Sequence, residues 1–534
     1  MHRIILLLLG VLAALGCSRD LSVIPLPAKT EAGNSFQLRL SDKTSVVYDE
    51  ALAGSAEYLH DFLSLKYNIG PALVQSGTAS DRRRQIRLKL DDSFREGQYH
   101  LEISGKGALI QGSESGVFYG ILTLVQLLPA GQGQGHRVLK VPSVEISDEP
   151  RFAYRGMLID VSRHFFPVSY LKKCIDMAAL HKMNYLQLHL TDDQGWRLEI
   201  KKYPDLNETG SWRNGTSIGQ WPGTGNDSIR HGGFYTRDEI KDLVAYAQER
   251  FVTIIPEIEM PGHALAALAS YPWLGCTGGP YQVKETWGAG DDVFCAGKDT
   301  VFSFLEDVMD EVTEMFPSEY FHIGGDECPK ERWKNCPSCQ ARMKINGLKN
   351  EEELQSYFIT RMEKYINSKG KKIIGWDEIL DGGVAPNAVV MSWRGNGESG
   401  CLGAVKARHH VIMTPTSSFY LDYPQHSEED SLAAQWGGVT PVRATYSYEP
   451  VIAGLTEEEA KLILGGQANI WTEFISNTAK LEYMMLPRLS AASEVLWSPK
   501  ELRDWEGFKL RMEKQYQRYR VWDMLFNPAD IELQ

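Results

Sequence analysis

The amino-acid sequence predicts an α/β protein in which a (β/α)8 barrel, the TIM-barrel fold, follows a small α+β accessory domain. From residue 151 onward, strand-like apolar runs alternate with helical stretches, and eight such runs can be counted. Before residue 150 the pattern is one of short strands separated by Gly and Asp turns. A chain of 534 residues is also longer than a domain with one ordinary hydrophobic core, so more than one domain is expected. We therefore predict an accessory domain at 18–150 and a barrel domain at 151–534 that ends in a helix.

The N-terminus has the pattern of a lipoprotein-type signal peptide at 1–17, with a charged start and an apolar core at 4–15. Cys17 closes a stretch that resembles a bacterial lipobox, in which the cysteine is lipidated after cleavage. Ala14 stands where leucine is more usual, so secretion without a lipid is the alternative. No later apolar run reaches the ~20 residues of a membrane-spanning helix. We expect a cell-envelope protein, in the periplasm or at the outer membrane, that contacts the membrane only through a lipid.

Within the accessory domain, strands are predicted at 85–90, 99–103 and 108–111. Ser113 is a predicted N-cap, and the helix that it begins carries apolar residues on one face, namely Val117, Ile121, Leu124 and Leu128. This spacing indicates a helix that packs against the sheet.

The predicted barrel strands are 153–160, 184–190, 252–258, 320–323, 372–375, 388–392, 411–414 and 466–470. The predicted helices are 168–181, 237–250, 300–315, 351–368, 480–495 and, outside the barrel, 505–525. Long loops are expected after strand C-termini at 192–236, 260–299 and 417–457 because the domain exceeds the ~250 residues typical of the fold.

The C-terminal ends of barrel strands form the face on which such folds place their sites. Charged and aromatic residues are found at these strand ends. In order they are Arg155, Asp160 with Arg163, His189, Asp192 and Asp193, Glu257, Glu259 and His263, Asp326 and Glu327, Trp376 to Glu378, Trp393 with Arg394, Tyr420 and Asp422, and Trp471 with Glu473. Any one of them could be a core or surface residue, but aromatic residues at four successive strand ends favour a site.

This composition indicates a sugar-binding site, because pyranose faces are apolar and hydroxyls need charge-assisted hydrogen bonds. The formal net charge of -13 argues against nucleic acid and anionic membrane surfaces as partners. Glycoside hydrolysis normally takes two opposed carboxyl groups, whereas Asp326 and Glu327 are adjacent on one strand end. A substrate that carries its own nucleophile, such as a 2-acetamido group, removes the need for a second carboxylate. A solvated turn is the alternative for this Gly-Gly-Asp-Glu stretch.

Five motifs together resemble the family 20 glycoside hydrolases, the β-N-acetylhexosaminidases, over nearly the whole chain. They are His322-Ile-Gly-Gly-Asp326-Glu327, Leu188-His-Leu-Thr-Asp192-Asp-Gln-Gly-Trp196, Pro256-Glu-Ile-Glu-Met-Pro-Gly-His263, Gly375-Trp376-Asp-Glu378 and Ala468-Asn-Ile-Trp471-Thr-Glu473. The resemblance implies an exo-acting, retaining enzyme that removes terminal β-linked N-acetylglucosamine or N-acetylgalactosamine from oligosaccharides or glycoconjugates. It implies no cofactor and no catalytic metal.

The resemblance also implies roles for individual residues. Glu327 would be the general acid/base, and Asp326 would orient and polarise the acetamido N–H. Tyr420 would bind the acetamido carbonyl, and Asp192 with His263 would support Glu327. The sugar would be walled and held by Trp376, Trp393, Trp471, Arg155, Asp422 and Glu473.

Eight cysteines in an exported protein permit disulfides. Cys276 and Cys295 flank a Gly-rich loop and are the predicted disulfide pair. Cys336-Pro-Ser-Cys339 with Cys328 nearby is a weaker candidate for a zinc site, because a second CxxC pair is missing.

Two other functions are compatible with parts of the sequence. A non-catalytic carbohydrate-binding lipoprotein could keep such a pocket, but the intact Asp326-Glu327 pair argues against it. A literal GxGxxG at 395–400 follows the sixth strand instead of opening a first βαβ unit, which disfavours nucleotide binding.

Overall fold

The computed structural model describes residues 21–33, 37–78, 84–131, 138–220, 222–426 and 438–528. The predicted signal peptide at 1–17 lies outside these residues. Among the helices of the described ranges, none is long and apolar enough to cross a membrane.

The accessory domain is a seven-stranded mixed sheet with two helices, Ala53–Tyr67 and Glu114–Gln126. In spatial order its strands are Lys29–Ala32, Val144–Asp148, Tyr99–Ser104, Gly107–Gly112, Gln85–Leu90, Ser45–Tyr48 and Ala72–Gln75. The second helix begins where the sequence predicts it, because the Ser113 side chain accepts a hydrogen bond from the Gly116 backbone N–H. Leu38–Leu40 pairs with Leu139–Val141 in a separate ribbon.

Eight parallel strands close a barrel, as predicted. They are Tyr154–Asp160, Tyr185–His189, Thr253–Glu257, Tyr320–His322, Lys372–Trp376, Val389–Ser392, Val411–Met413 and Ile463–Ile470. The longer helices are Val168–Leu180, Arg237–Gln248, Asp299–Met315, Glu351–Ser368, Glu398–Lys406 and Arg488–Trp497, and Trp505–Val521 follows them. Apolar side chains such as Leu158, Ile255, Ile374 and Ile412 fill the barrel interior.

The loops that leave the strand C-termini contain short elements. Their helices are Asp205–Glu208, Leu265–Ser270, Glu331–Asn335, Pro337–Asn346, Thr416–Phe419, Val442–Ser447 and Glu457–Ala460. Their two-residue strands pair as Thr191–Asp192 with Gly195–Trp196, Trp212–Arg213 with His231–Gly232, and Ser217–Ile218 with Gly225–Asn226.

The helix predicted at 480–495 is two helices, Thr478–Met485 and Arg488–Trp497. Pro487 separates them because proline has no backbone N–H to donate and disfavours helical geometry at the preceding residue. Leu486 accordingly has extended backbone angles.

The accessory domain and the bottom of the barrel share a buried polar contact. Lys182 Nζ lies 3.0 Å from Asp148 Oδ2, and both side chains are fully buried. Asp148 also accepts hydrogen bonds from Trp497 Nε1 and from the Tyr99 hydroxyl. A buried charge without a partner is strongly destabilising, so this contact ties the two domains together.

The predicted disulfide between Cys276 and Cys295 is wrong, since neither cysteine takes part in a disulfide. The Cys276 sulfur lies 3.9 Å from Cys339 Sγ, and Cys295 Sγ lies 3.7 Å from Cys336 Sγ, distances well beyond the ~2.05 Å of a sulfur–sulfur bond. Chain segments that are 41 or more residues apart bring these sulfurs together, so the spacing of Cys276 and Cys295 alone did not show their neighbours.

Candidate active site

Asp326 and Glu327 stand on the lip that follows the fourth barrel strand. Gly324 and Gly325 have φ angles of 67° and 99°, in the left-handed region that favours glycine. A Cβ atom on Gly324 would lie 1.7 Å from Glu259 Oε2, so the turn also needs glycine for space. Glu327 itself has a φ of 42°, a strained conformation of the kind that clusters at functional sites.

The two carboxyl groups open onto a cavity of about 210 Å³ at the C-terminal face of the barrel. This is below the ~300 Å³ at which sites for drug-sized ligands begin, so the enclosed part of the cavity suits a small group such as one sugar ring. Its lining comprises Arg163, His263, Asp326, Glu327, Trp376, Trp393, Thr416, Tyr420, Asp422, Tyr423, Trp471 and Glu473.

Aromatic rings form the walls of this cavity. The Trp393 and Tyr420 rings are nearly parallel, with centroids 6.2 Å apart and planes at 17°. Trp471 meets Trp376 with a centroid distance of 5.8 Å and an angle of 48°. Trp376 Nε1 donates to Glu257 Oε1 and Trp393 Nε1 donates to Glu378 Oε2, so each indole is held in one orientation. Fixed aromatic faces of this kind suit the apolar faces of a pyranose.

His263 connects the catalytic lip to Asp192. Its Nδ1 lies 3.2 Å from Asp192 Oδ1, while Nε2 lies 3.4 Å from Asp326 Oδ2 and 3.8 Å from Glu327 Oε2. Burial by itself lowers the pKa of His263, but the charges of Asp192 and Asp326 outweigh burial and raise that pKa well above its usual value. A charged imidazolium therefore faces both members of the carboxylate pair.

The chain of contacts continues into the barrel beneath Asp192. Asp192 Oδ2 lies 2.9 Å from His189 Nε2, and His189 Nδ1 lies 2.7 Å from Glu257 Oε2. Glu257 in turn holds Trp376. The aromatic wall and the acidic lip are thus connected through one series of buried hydrogen bonds and ion pairs, which restricts the positions of these side chains.

The electrostatic environment suits Glu327 to acid catalysis. Its side chain is half exposed at the mouth of the cavity. Partial burial, followed by the charge of Asp326, raises the pKa of Glu327, and His263 and Arg163 act in the opposite direction. A raised pKa keeps the carboxyl group protonated closer to neutral pH, as a general acid requires.

The other carboxyl groups around the cavity are biased toward the neutral form. Burial, followed by the charge of Glu473, raises the pKa of Asp422 well above its usual value. Burial raises the pKa of Glu473 to about 7 and that of Glu378, behind Trp393, to about 8. Neutral carboxyl groups are poor nucleophiles but can both donate and accept hydrogen bonds.

Several buried oxygen atoms that face the cavity have no hydrogen-bond partner among the described residues. They include Asp326 Oδ1, Asp422 Oδ1 and Glu473 Oε2. Unsatisfied buried polar atoms are costly, so their convergence on one cavity indicates that a polar ligand completes them.

The predicted role of Arg155 in binding sugar hydroxyls is wrong. Arg155 is the second residue of the first barrel strand and points away from the cavity, donating to the Lys182 and Phe152 carbonyls and to the Tyr119 hydroxyl of the accessory domain. Arg155 is five positions, at ~3.3 Å each, from Asp160, the last residue of the strand. The cavity lies on the barrel face formed by these C-terminal strand ends. Position in the strand was the signal that the motif-based prediction overlooked.

Arg163 supplies the guanidinium of the cavity instead. Its Nη2 lies 2.7 Å from Asp192 Oδ2 and 3.9 Å from Glu473 Oε1, and its guanidinium lies 5.1 Å from the Trp471 ring centroid. Arg163 follows the first strand by three residues, and this place after a strand end made it one of the candidates predicted from the sequence, although without a role in sugar binding. Thr416 and Tyr423 also line the cavity, although they were not predicted from the sequence. No motif marks these two residues in the sequence, and only the folded structure shows that they reach the cavity.

Two clusters near the site have metal-ligand composition, His189 with Glu257 and Glu259, and Asp192 with Asp193 and His263. Within each cluster a histidine nitrogen already pairs with a carboxylate oxygen, at 2.7 Å in the first and 3.2 Å in the second. Apart from Asp193 and Glu259, the members of both clusters belong to the network of contacts described above.

The catalytic domain of glycosyl hydrolase family 20 matches residues 152–500, and domain 2 of the same family matches residues 20–149. The chain belongs to glycosyl hydrolase family 20. The predicted family and the predicted barrel fold are therefore confirmed.

Individual relatives agree with this membership. A β-hexosaminidase of Porphyromonas gingivalis is 45% identical over 502 residues, which are 93% of this chain and 63% of that protein. A β-hexosaminidase of Vibrio furnissii is 35% identical, covering 88% of this chain and 76% of the relative. The chain thus spans less than two thirds of the length of the Porphyromonas relative.

Solved structures share the architecture. The family 20 exo-β-N-acetylglucosaminidase of Vibrio harveyi, crystallised with N-acetylglucosamine, superimposes with a TM-score of 0.84 at 31% identity, covering 95% of this chain and 78% of that one. The family 20 β-N-acetylhexosaminidase of Streptomyces coelicolor gives a TM-score of 0.82 at 30% identity, with 95% and 98% covered.

Proposed function

We propose that the protein is an exo-acting, retaining β-N-acetylhexosaminidase that removes terminal β-linked N-acetylglucosamine or N-acetylgalactosamine. The observation that carries the proposal is the Asp326-Glu327 pair on one lip of a small aromatic cavity whose other carboxyl groups, Asp422 and Glu473, have raised pKa values. An ionised carboxylate is needed for a conventional double displacement, so the acetamido oxygen of the substrate is the better nucleophile.

In the first step the acetamido carbonyl oxygen attacks C1 and the glycosidic C1–O bond breaks. Glu327 gives its proton to the leaving oxygen. The Asp326 carboxylate accepts a hydrogen bond from the acetamido N–H, whose positive charge grows as the oxazolinium ring closes. Tyr420, whose ring forms part of the aromatic wall, donates its hydroxyl to the attacking carbonyl oxygen in this proposal.

In the second step water attacks C1 from the opposite face and the oxazolinium ring opens. Glu327, now ionised, takes the proton from this water and returns to its starting state. Two inversions at C1 give net retention of configuration. His263, charged and held by Asp192, stabilises the ionised lip between the two steps, as the family resemblance implies for this pair.

The cavity holds one sugar, so cleavage should release monosaccharides from the non-reducing end. Aryl N-acetyl-β-glucosaminide and N-acetyl-β-galactosaminide should both be tested, followed by chito-oligosaccharides labelled at the reducing end. We expect the label to remain on products that shorten one sugar at a time. Release of internal oligosaccharides would contradict an exo-acting site, and no hydrolysis of any acetylated substrate would favour a carbohydrate-binding role.

We also propose that the protein is anchored in the cell envelope by a lipid on Cys17. The charged start, the apolar segment at 4–15 and the small residues before Cys17 support this proposal. A Cys17→Ser variant should partition into the aqueous phase of a detergent extraction, whereas the parent enters the detergent phase. Identical partitioning of the two proteins would show that Cys17 carries no lipid.

A further inference from the structure

Four cysteine sulfurs converge beside the catalytic lip. Cys276 and Cys295 lie in the loop after the third barrel strand, and Cys336 and Cys339 lie at the start of the helix Pro337–Asn346, after the fourth strand. All four sulfur atoms lie within 4.8 Å of one another. Cys295 and Cys339 are fully buried, and Cys336 is nearly so.

The sulfur–sulfur distances match a shared central ion. Three of them are 3.6 Å for Cys295 and Cys339, 3.7 Å for Cys295 and Cys336, and 3.9 Å for Cys276 and Cys339. A tetrahedral Zn²⁺ with Zn–S bonds of ~2.3 Å places its sulfurs ~3.8 Å apart. A disulfide would need one pair at ~2.05 Å, so the arrangement is that of a ligand shell. We propose that Cys276, Cys295, Cys336 and Cys339 bind one structural zinc ion.

Backbone hydrogen bonds and a close contact between the two loops keep the four sulfur atoms near one another. The Cys295 backbone N–H donates to the Leu274 carbonyl, which fixes the first pair within its loop. A Cβ atom on Gly297 would lie 2.2 Å from the Ser338 carbonyl carbon, so a glycine there lets the two loops touch. Cys336 is the N-cap of its helix and Cys339 lies in the first turn, where the positive end of the helix dipole favours thiolates.

A zinc ion here would join two loops that carry catalytic groups. The first loop contains His263 and is bound to the Asp192–Asp193 segment, because the Gly290 N–H donates to Asp193 Oδ2. The second loop begins with Asp326 and Glu327, and Trp333 Nε1 donates across to the Phe294 carbonyl. The ion would therefore have a positioning role, because it would fix the His263 imidazole and the Glu327 carboxyl group relative to each other. It has no place in the bond-making steps.

The test is the metal content of the full-length protein, purified without metal-affinity chromatography. Because four thiolates complete the coordination of one Zn²⁺, we expect elemental mass spectrometry to find about one zinc ion per chain. Cys339→Ser should lose most of this zinc. Cys401→Ser is the matched control, because Cys401 is also buried and outside any disulfide but lies in the helix Glu398–Lys406, outside the cluster. Zinc retained in Cys339→Ser would overturn the proposal.

A second measurement uses the unmodified chain, so it does not depend on a variant that folds. The denatured protein, alkylated in the presence of a chelator and without reductant, should carry a label on each of the four cysteines. If the parent protein contains no zinc and these cysteines take up no label because they are in disulfides, the assignment is overturned. Removal of zinc by a chelator should also lower the Tm of the parent and leave that of the already metal-free Cys339→Ser unchanged.

Discussion

An aryl β-glucoside, which lacks the acetamido group, is expected to be hydrolysed at least ~10³-fold more slowly than the matching N-acetyl-β-glucosaminide. An internal nucleophile supplies effective molarities of ~10⁵ M or more, and loss of the group removes both this nucleophile and its contact with Asp326. The raised pKa values of Asp422, Glu473 and Glu378 leave these side chains poorly suited to replace it. The measurement is kcat/KM for both substrates with the same leaving group.

Asp326→Asn provides the second arm of this experiment. On the acetylated substrate the variant should lose ~10²–10³ in kcat, the usual effect of removing one group that stabilises transition-state charge. On the glucoside it should change the rate by no more than about threefold, because the interaction being removed is with the acetamido N–H. The exposed residue Asp381 gives a control variant, Asp381→Asn, that should behave as the parent does. Equal losses on both sugars would contradict an acetamido-specific role for Asp326.

Glu327→Gln is expected to lower kcat by ~10²–10⁴, the range for loss of a general acid/base. The loss should be greatest for disaccharides, because their leaving group is a sugar alkoxide that must be protonated as it departs. For 4-nitrophenyl substrates the loss in the first step should be smaller, because their leaving group is stable as an anion. Glu331→Gln changes an exposed carboxylate a few residues further on and should leave kcat unchanged. A variant with near-parental activity on disaccharides would remove Glu327 from the mechanism.

The pH profile gives this prediction a second readout. Glu327 must be protonated for the first step, so activity should fall as pH rises through its pKa, and the raised pKa moves this alkaline limb to higher pH than an unperturbed glutamate would give. The alkaline limb should be absent in Glu327→Gln. A limb that persists unchanged in the variant would belong to another group.

The sequence predicted the barrel because each strand and helix is encoded locally, by the period and length of its apolar pattern. It predicted most of the cavity lining for the same reason: Trp376 ends a strand, Trp393 and Trp471 come directly after strands, and strand C-termini share one face of a parallel barrel. The position of Asp326 and Glu327 followed from a buried strand and two glycines that allow a sharp turn. Their individual roles remain predictions, which the variants above test.

Tertiary structure alone decided what depends on segments far apart in sequence. Arg155 lies at the wrong end of its strand and contacts the accessory domain, whereas Arg163 lies beside Asp192 and Glu473. The pKa values around the cavity arise from burial and from charges on different strands, and no local pattern contains them. Likewise, the pairing of Cys276 and Cys295 with Cys336 and Cys339 exists only because two loops meet around Gly297. Local periodicity encodes the elements and the face on which they end, but distances between side chains on different elements are set only when the barrel closes.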